Sequence, residues 1–320
     1  MIIENELQIR SWCESALKYA FKHENSIFIS QYTLARETAF GIERTGNVFI
    51  LLKEELYSSP FKIEGTLELT SAQKFASEHE DSILYGHGLI INASSVHEQS
   101  QSLCLIHNIL SGEDYQNDLE SFFELLRKAA QKKKRFYPPS LFAELCVLMY
   151  LRQDIPEIVC LWKSSGQSVF DIRSSEKNPE IEIKSTTNID SRVHVLSLHQ
   201  VRHFLENPGS LLASVQVHED NAGSSCKTLC EELLVLESAN IEAAKILTSY
   251  LLAFSSEPGF SQALFNQSHT QSSIKLVSPD FTELQIMSPP AWLISGRFEI
   301  DLSIVPSLET IKDTLLSNKI

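Results

Sequence analysis

Phe170-Asp171-Ile172-Arg173 and, after the polar loop 174–179, Glu180-Ile181-Glu182-Ile183-Lys184 are the stretch on which the fold reading turns. The loop is rich in turn formers, so the two runs read as the arms of a hairpin. Pairing Arg173 with Glu180 sets Asp171 directly opposite Glu182. Opposed side chains on an antiparallel pair have Cβ atoms about 4.5–5.5 Å apart, and like charges there repel. Two carboxylates so placed ask for a cation. Strand side chains alternate with period two, so Lys184 shares the face of Glu182 while Ile181 and Ile183 turn toward a core.

A third acidic residue lies upstream. Residues 141–151 read Leu-Phe-Ala-Glu-Leu-Cys-Val-Leu-Met-Tyr-Leu behind Pro138, Pro139 and Ser140, a run that suits a helix with its start marked by proline. Glu144 is its one charged residue and falls on the stripe of Leu141, Leu145 and Leu148. An ionised carboxylate among such neighbours is costly unless paired or bound to a metal. The plainer reading sets Glu144 in the first turn, complementing the helix dipole from a partly solvated position.

The flanking order predicts an α/β core. After the Glu144 helix come three strands, 158–162, 169–173 and 181–186, each rich in β-branched or aromatic residues. Residues 197–206 then predict a helix capped by Ser197 and stopped by Asn207-Pro208-Gly209, and 211–217 a last apolar strand.

Glu144 on a helix, Asp171 on a strand and Glu182-Ile183-Lys184 on the next resemble the signature of the PD-(D/E)XK nuclease superfamily. The wording Ala143-Glu144-Leu145, Phe170-Asp171-Ile172, Glu182-Ile183-Lys184-Ser185-Thr186 and 192–200 (Arg-Val-His-Val-Leu-Ser-Leu-His-Gln) is similar to an uncharacterised bacterial family of PD-(D/E)XK proteins met in restriction or phage-defence gene neighbourhoods. The resemblance covers roughly residues 139–217. The first acidic motif is Phe-Asp, without the proline of the superfamily's name.

That resemblance implies an α/β (α+β) fold with a restriction-endonuclease-like core, a mixed sheet flanked by helices. It also implies a Mg²⁺-dependent (or Mn²⁺-dependent) endonuclease acting on DNA. Asp171, Glu182 and the backbone carbonyl of Ile183 would be the metal ligands, with Glu144 completing the shell directly or through water; such hard oxygen donors suit these ions. Lys184 would orient water or stabilise charge on the phosphoryl oxygens. Glu180 is expected to pair with Arg173. The alternatives are a cross-strand charge cluster on a solvated face, and a catalytically inactive nuclease-fold subunit that binds DNA or assembles with other defence proteins.

Other signals are weaker. His199 and His203 have a zinc-compatible spacing but lack the glutamate of a zincin, and read better as surface or nucleic-acid-facing histidines. Gln200 and Phe204 have the spacing of a glutamine-x-x-x-tyrosine motif, which makes Gln200 a candidate phosphate or water contact. Cys226 and Cys230 have no second cysteine pair to form a zinc ribbon. The formal charge of −14 is unusual for a DNA enzyme, because phosphate contacts need basic groups. A local basic block, Arg127, Lys128, Lys132, Lys133, Lys134 and Arg135, precedes the Glu144 helix and is a candidate backbone contact.

Six scattered cysteines and apolar neighbours around Cys146 and Cys160 suggest reduced, buried thiols. With no signal peptide or membrane span in the pattern, a cytoplasmic location is expected. The chain divides by pattern into an N-terminal α+β domain (1–118), a helix and basic linker (119–138), the nuclease-like core (139–220) and a C-terminal helical and strand region packed on the core (221–320). A homodimer would suit double-strand cleavage and a monomer nicking.

Overall fold

The computed structural model describes residues 6–20, 28–42, 45, 47–52, 61–63, 67–76, 83–93, 95–132, 136–162, 169–173, 179–237, 239–278 and 295–308. The fold is mixed α and β, and the chain forms two units, Met1–Arg135 with Leu234–Glu257, and Phe136–Leu233 with Pro258–Ile320.

The first unit begins with α1 (Glu6–Ala20) and continues through β1 (Phe28–Leu34), β2 (Thr38–Ile42), β3 (Val48–Leu52), β4 (Phe61–Ile63), β5 (Leu67–Ala76) and β6 (Ile83–Ile91). These strands form one antiparallel sheet in the order β1-β2-β3-β6-β5-β4. Ile42 pairs with Val48 across the β2–β3 connection. Two helices follow, α2 (Val96–Ser111) and α3 (Tyr115–Lys132). Phe40, Ile50 and Leu89 from the sheet bury against Leu103, Ile106 and Phe123 from these helices.

The second unit holds the candidate site. Helix α4 (Pro138–Leu151) starts with Pro at its first positions, where the missing N–H costs no hydrogen bond, and is buried along nearly its whole length. It leads to a one-turn helix, α5 (Ile158–Leu161), then to β7 (Ile181–Thr186), β8 (Val193–Ser197), α6 (Leu198–Glu206), β9 (Leu211–Gln216), β10 (Glu219–Ser224) and α7 (Cys226–Leu236). Helix α8 (Ile241–Phe254) returns to the first unit, and α9 (Pro258–Gln262), α10 (Gln267–Ser272), β11 (Lys275–Val277) and β12 (Arg297–Asp301) complete the second. Strand β9 is central, parallel to β7 and antiparallel to β11, so the sheet is mixed. A parallel pair needs a long crossover, and β8 and α6 supply it. Strand β8 pairs separately with β12. Among the described residues no helix is long and apolar enough to cross a membrane.

The structure corrects the sequence reading in two places. Residues 158–162 and 169–173 are not full strands: Ile158–Leu161 is helical, and only Trp162 and Ile172 join in single antiparallel bridges. The turn at 154–157 closes onto Leu151 and runs straight into α5 through Ile158 N–H to Ile155 O, 3.0 Å. Local turn bonding and burial of Ile158 and Val159 thus override their strand preference. Most of the 119–138 segment belongs with the first unit, and α8 joins it because Ala244 and Leu252 bury in that unit's core.

Helix α6 carries a capping box: the Ser197 hydroxyl accepts from Gln200 N–H, and the Gln200 side chain accepts from Ser197 N–H. A cap of this kind contributes about 1 kcal/mol. Ser197→Ala is expected to lower stability by about that amount, measured as the urea midpoint at constant slope.

Candidate functional site

Glu182 and Lys184 stand two residues apart on β7 and therefore on one face. Glu182 is only 4 % exposed, and its Oε1 lies 2.9 Å from the Lys184 ammonium. Gln200, in the first turn of α6, donates its amide N–H to the same Glu182 oxygen. Its own Oε1 faces the Lys184 ammonium at 3.4 Å and the Ser197 backbone N–H at 3.0 Å. One side chain therefore bridges the acid, the base and the helix cap.

Asp171 arrives from the segment beside β7. Ile172 and Ile181 exchange both backbone hydrogen bonds at 2.9 Å, which fixes Asp171 opposite Glu182 and Arg173 opposite Glu180, as the sequence register predicts. The ladder is only one bridge long. The next N–H along β7, that of Ile183, goes to the Asp171 carboxylate at 2.9 Å. A side chain here takes a donor of the strand, the usual way short polar side chains compete with regular structure.

Glu144 is buried on α4, 7 % exposed, and accepts the indole N–H of Trp162 at 2.9 Å. It is neither the solvated first-turn residue of the plainer reading nor part of a three-carboxylate cluster. Among the described residues no three His, Cys, Asp or Glu side chains form a metal-holding group. Burial, and next the charge of Glu144, push the Cys226 thiol well above its ordinary range.

The donor chemistry around Asp171 and Glu182 nevertheless fits a hard divalent cation. Mg²⁺ is commonly held by one or two carboxylates and keeps several waters. The opposed Asp171 and Glu182 supply that number of hard oxygen donors, and Ile183, whose carbonyl was the third expected ligand, lies between Glu182 and Lys184 on the same strand.

A second layer lies around Lys184, which pairs in register with Ser214 of β9. The Ser214 hydroxyl is 2.7 Å from His194 Nε2 and accepts from Arg192 at 3.1 Å, and Arg192 also donates to Ser214 O and, at 2.7 Å, to Ser273 O. Burial first, then the positive charges of Lys184 and Arg192, lower the His194 pKa from 6.5 to about 4; Asp301 opposes them. His194 lies within the quoted 192–200 motif, yet the sequence reading gave it no role. Trp162 was missed likewise, because nothing local marks an indole as the partner of a glutamate 18 residues away.

The remaining candidates separate. Glu180 pairs with His203, not with Arg173, and His203 stacks edge-on against Phe170, ring centroids 4.5 Å apart. His199 is exposed. Lys132 belongs to the first unit and donates to the Tyr250 hydroxyl at 3.0 Å; Lys133, Lys134 and Arg135 lie outside the described residues. All six cysteines are free; Cys146 is buried as expected, whereas Cys160 is partly exposed.

Two measurements probe this arrangement. Glu144→Ala removes the acceptor of a buried indole N–H and is expected to cost about 1–3 kcal/mol; Glu144→Gln, which keeps an acceptor oxygen, should retain most of that stability in parallel urea titrations. His194 tests the second layer. Its folded pKa is depressed, so the unfolded chain binds the extra proton between about pH 6.5 and 4. Stability is therefore full above pH 6.5 and falls as pH drops toward 4, by roughly 3 kcal/mol in all. His194→Gln should flatten that part of the pH–stability profile.

No protein-family model, curated protein or solved structure matches the chain.

Proposed function

We propose that the protein is a metal-dependent deoxyribonuclease with a restriction-endonuclease-like core, hydrolysing phosphodiester bonds in DNA within a bacterial restriction or phage-defence system. The observation that carries the reading is the Asp171–Glu182–Lys184 arrangement: two carboxylates opposed across one bridge and a lysine Nζ 2.9 Å from the second of them. The resemblance of the motifs around Glu144, Asp171, Glu182 and Lys184 supplies the choice of DNA and of a defence setting.

In this reading Asp171 and Glu182, with the Ile183 carbonyl, would hold Mg²⁺ or Mn²⁺. The cation would supply charge neutralisation at the scissile phosphate and acidify water. Lys184 would place its ammonium against the attacking water or the phosphoryl oxygens, where negative charge grows as the P–O bond breaks. Gln200 keeps Glu182 and Lys184 at a fixed spacing, so less reorganisation is needed when substrate arrives. Glu144 acts from behind, through Trp162 or through water, and not as a direct member of the carboxylate pair.

A specific observation favours a second reading. Glu182 is already engaged by Lys184 and Gln200, an arrangement equally suited to a charge network in an inactive nuclease-fold subunit that binds DNA or other proteins.

Purified protein incubated with plasmid and single-stranded DNA and Mg²⁺ or Mn²⁺ is expected to cleave, with the chelated sample silent. Asp171→Ala and Lys184→Ala, checked for folding, should each lose at least a hundredfold in rate. Cleavage that survives both substitutions would remove the site from consideration. Metal-dependent DNA binding without cleavage by any form would favour the inactive subunit.

A further inference from the structure

We infer that Arg173 is the phosphate-contacting residue of this site, its guanidinium receiving a phosphodiester oxygen from a nucleic-acid strand laid along the Asp171–Glu182 face. The inference rests on the nuclease reading and names the group that holds the substrate's backbone.

Arg173 follows Asp171 by two residues, with buried Ile172 between them, so alternation puts the two side chains on the same side of the segment. Its backbone N–H is satisfied by Leu161 O at 3.1 Å. Its Nε is buried and has no hydrogen-bond acceptor. Buried donors in native proteins are nearly always paired, so each exception calls for a cause. The acceptor that the register sets opposite Arg173 is the Glu180 carboxylate, and that carboxylate is bound to His203. The other acids on this face are engaged too, Asp171 by the Ile183 N–H and Glu182 by Lys184 and Gln200. A half-buried arginine beside the candidate centre is thus left with an unused, inward-held donor.

A phosphodiester is the anion whose shape fits. The guanidinium fork matches two phosphoryl oxygens, and Nε–H is one of the donors used in side-on pairing. His203 has a part in this assignment. Glu180 meets His203, and among the described residues no Arg173–Glu180 ion pair forms that would compete with the substrate. Arg173 is accordingly a binding residue, and it supplies positive charge on a chain whose net charge is −14.

The test reads the Arg173 Nε–H resonance directly in a ¹⁵N-labelled full-length protein, assigned by its disappearance in Arg173→Gln. Ca²⁺ replaces Mg²⁺ so that DNA is bound without turnover. A single-stranded DNA oligonucleotide is titrated in one arm and inorganic phosphate in the other, and affinity is followed by anisotropy across a salt series. The expected result is that DNA shifts the Nε–H resonance. Arg173→Gln should also weaken binding and reduce the slope of log K against log salt by about 0.7, the value for one lost contact to a single strand. Arg173→Lys should keep most of the slope at lower affinity. DNA binding with an unmoved Nε–H resonance and an unchanged slope overturns the role of Arg173 and leaves the nuclease reading standing. A resonance that responds to inorganic phosphate but not to DNA overturns the strand contact in favour of a free phosphate or nucleotide site. Absence of DNA binding by every form removes the nuclease reading, and this inference with it.

Discussion

A carboxylate that is 4 % exposed, Glu182, sets the terms for the rest of the second unit. Burying an ionised group costs several kcal/mol unless other groups replace the water it loses. Here the replacement comes from two directions. Lys184 comes from two residues along the same strand, which needs only the pleat of β7. Gln200 comes from α6, and it reaches Glu182 only because Ser197 stops β8 and starts that helix at the right residue. The crossover from β7 to its parallel neighbour β9 is therefore more than a connection. It returns a helix N-terminus to the charged face of the strand it left, so the topology of the sheet and the electrostatics of the site are one constraint.

Bringing Lys184 to that face creates a second problem, which β8 and β9 resolve. Arg192 is tied to Ser214 and Ser273, and Ser214 pairs in register with Lys184. Two cations share the neighbourhood with a histidine. A protonated imidazole would add a third positive charge in a buried position, and His194 accordingly has its pKa lowered to about 4. The ring shares a hydrogen bond with the Ser214 hydroxyl. His203, by contrast, meets a carboxylate, and its partner Glu180 ties the start of β7 to α6. The same residue type thus holds different partners at the two sides of the motif, a hydroxyl at His194 and a carboxylate at His203.

Much of this was legible in the sequence because it is local. The positions of β7, β9, α4 and α6 followed from runs of apolar residues, the Pro138-Pro139 start and the Ser197 cap. The Asp171–Glu182 register followed from a single pairing rule. What escaped depends on contacts between distant segments. Trp162 looked like a strand residue because it is aromatic beside β-branched neighbours, whereas its indole is used by Glu144 on α4. The Arg173–Glu180 pair was a sound local guess, overridden when α6 brought His203 to the same carboxylate. The strand proposed at 169–173 shortened to one bridge because Asp171 spends its carboxylate on Ile183 N–H, a competition that residue preferences do not encode.

The first unit shows the same dependence on distant sequence in its core. Its sheet and helices α1–α3 are complete by residue 132, yet α8 arrives from beyond residue 240 and puts a lysine among them. Lys245 is 0 % exposed; its ammonium is 3.0 Å from Asp118 and also meets Glu242. Asp118 is at the start of α3, where a negative charge already suits the helix dipole. Its acceptor is what lets Lys245 be buried, since a lysine without a partner there would be strongly unfavourable. Ala244 and Leu252 add apolar contacts of the same helix to that core. A piece of the protein ending at the 1–118 boundary would lose both the ion pair and this helix, so the structural unit at the amino end is discontinuous in sequence. Its integrity depends on chain made after most of the second unit.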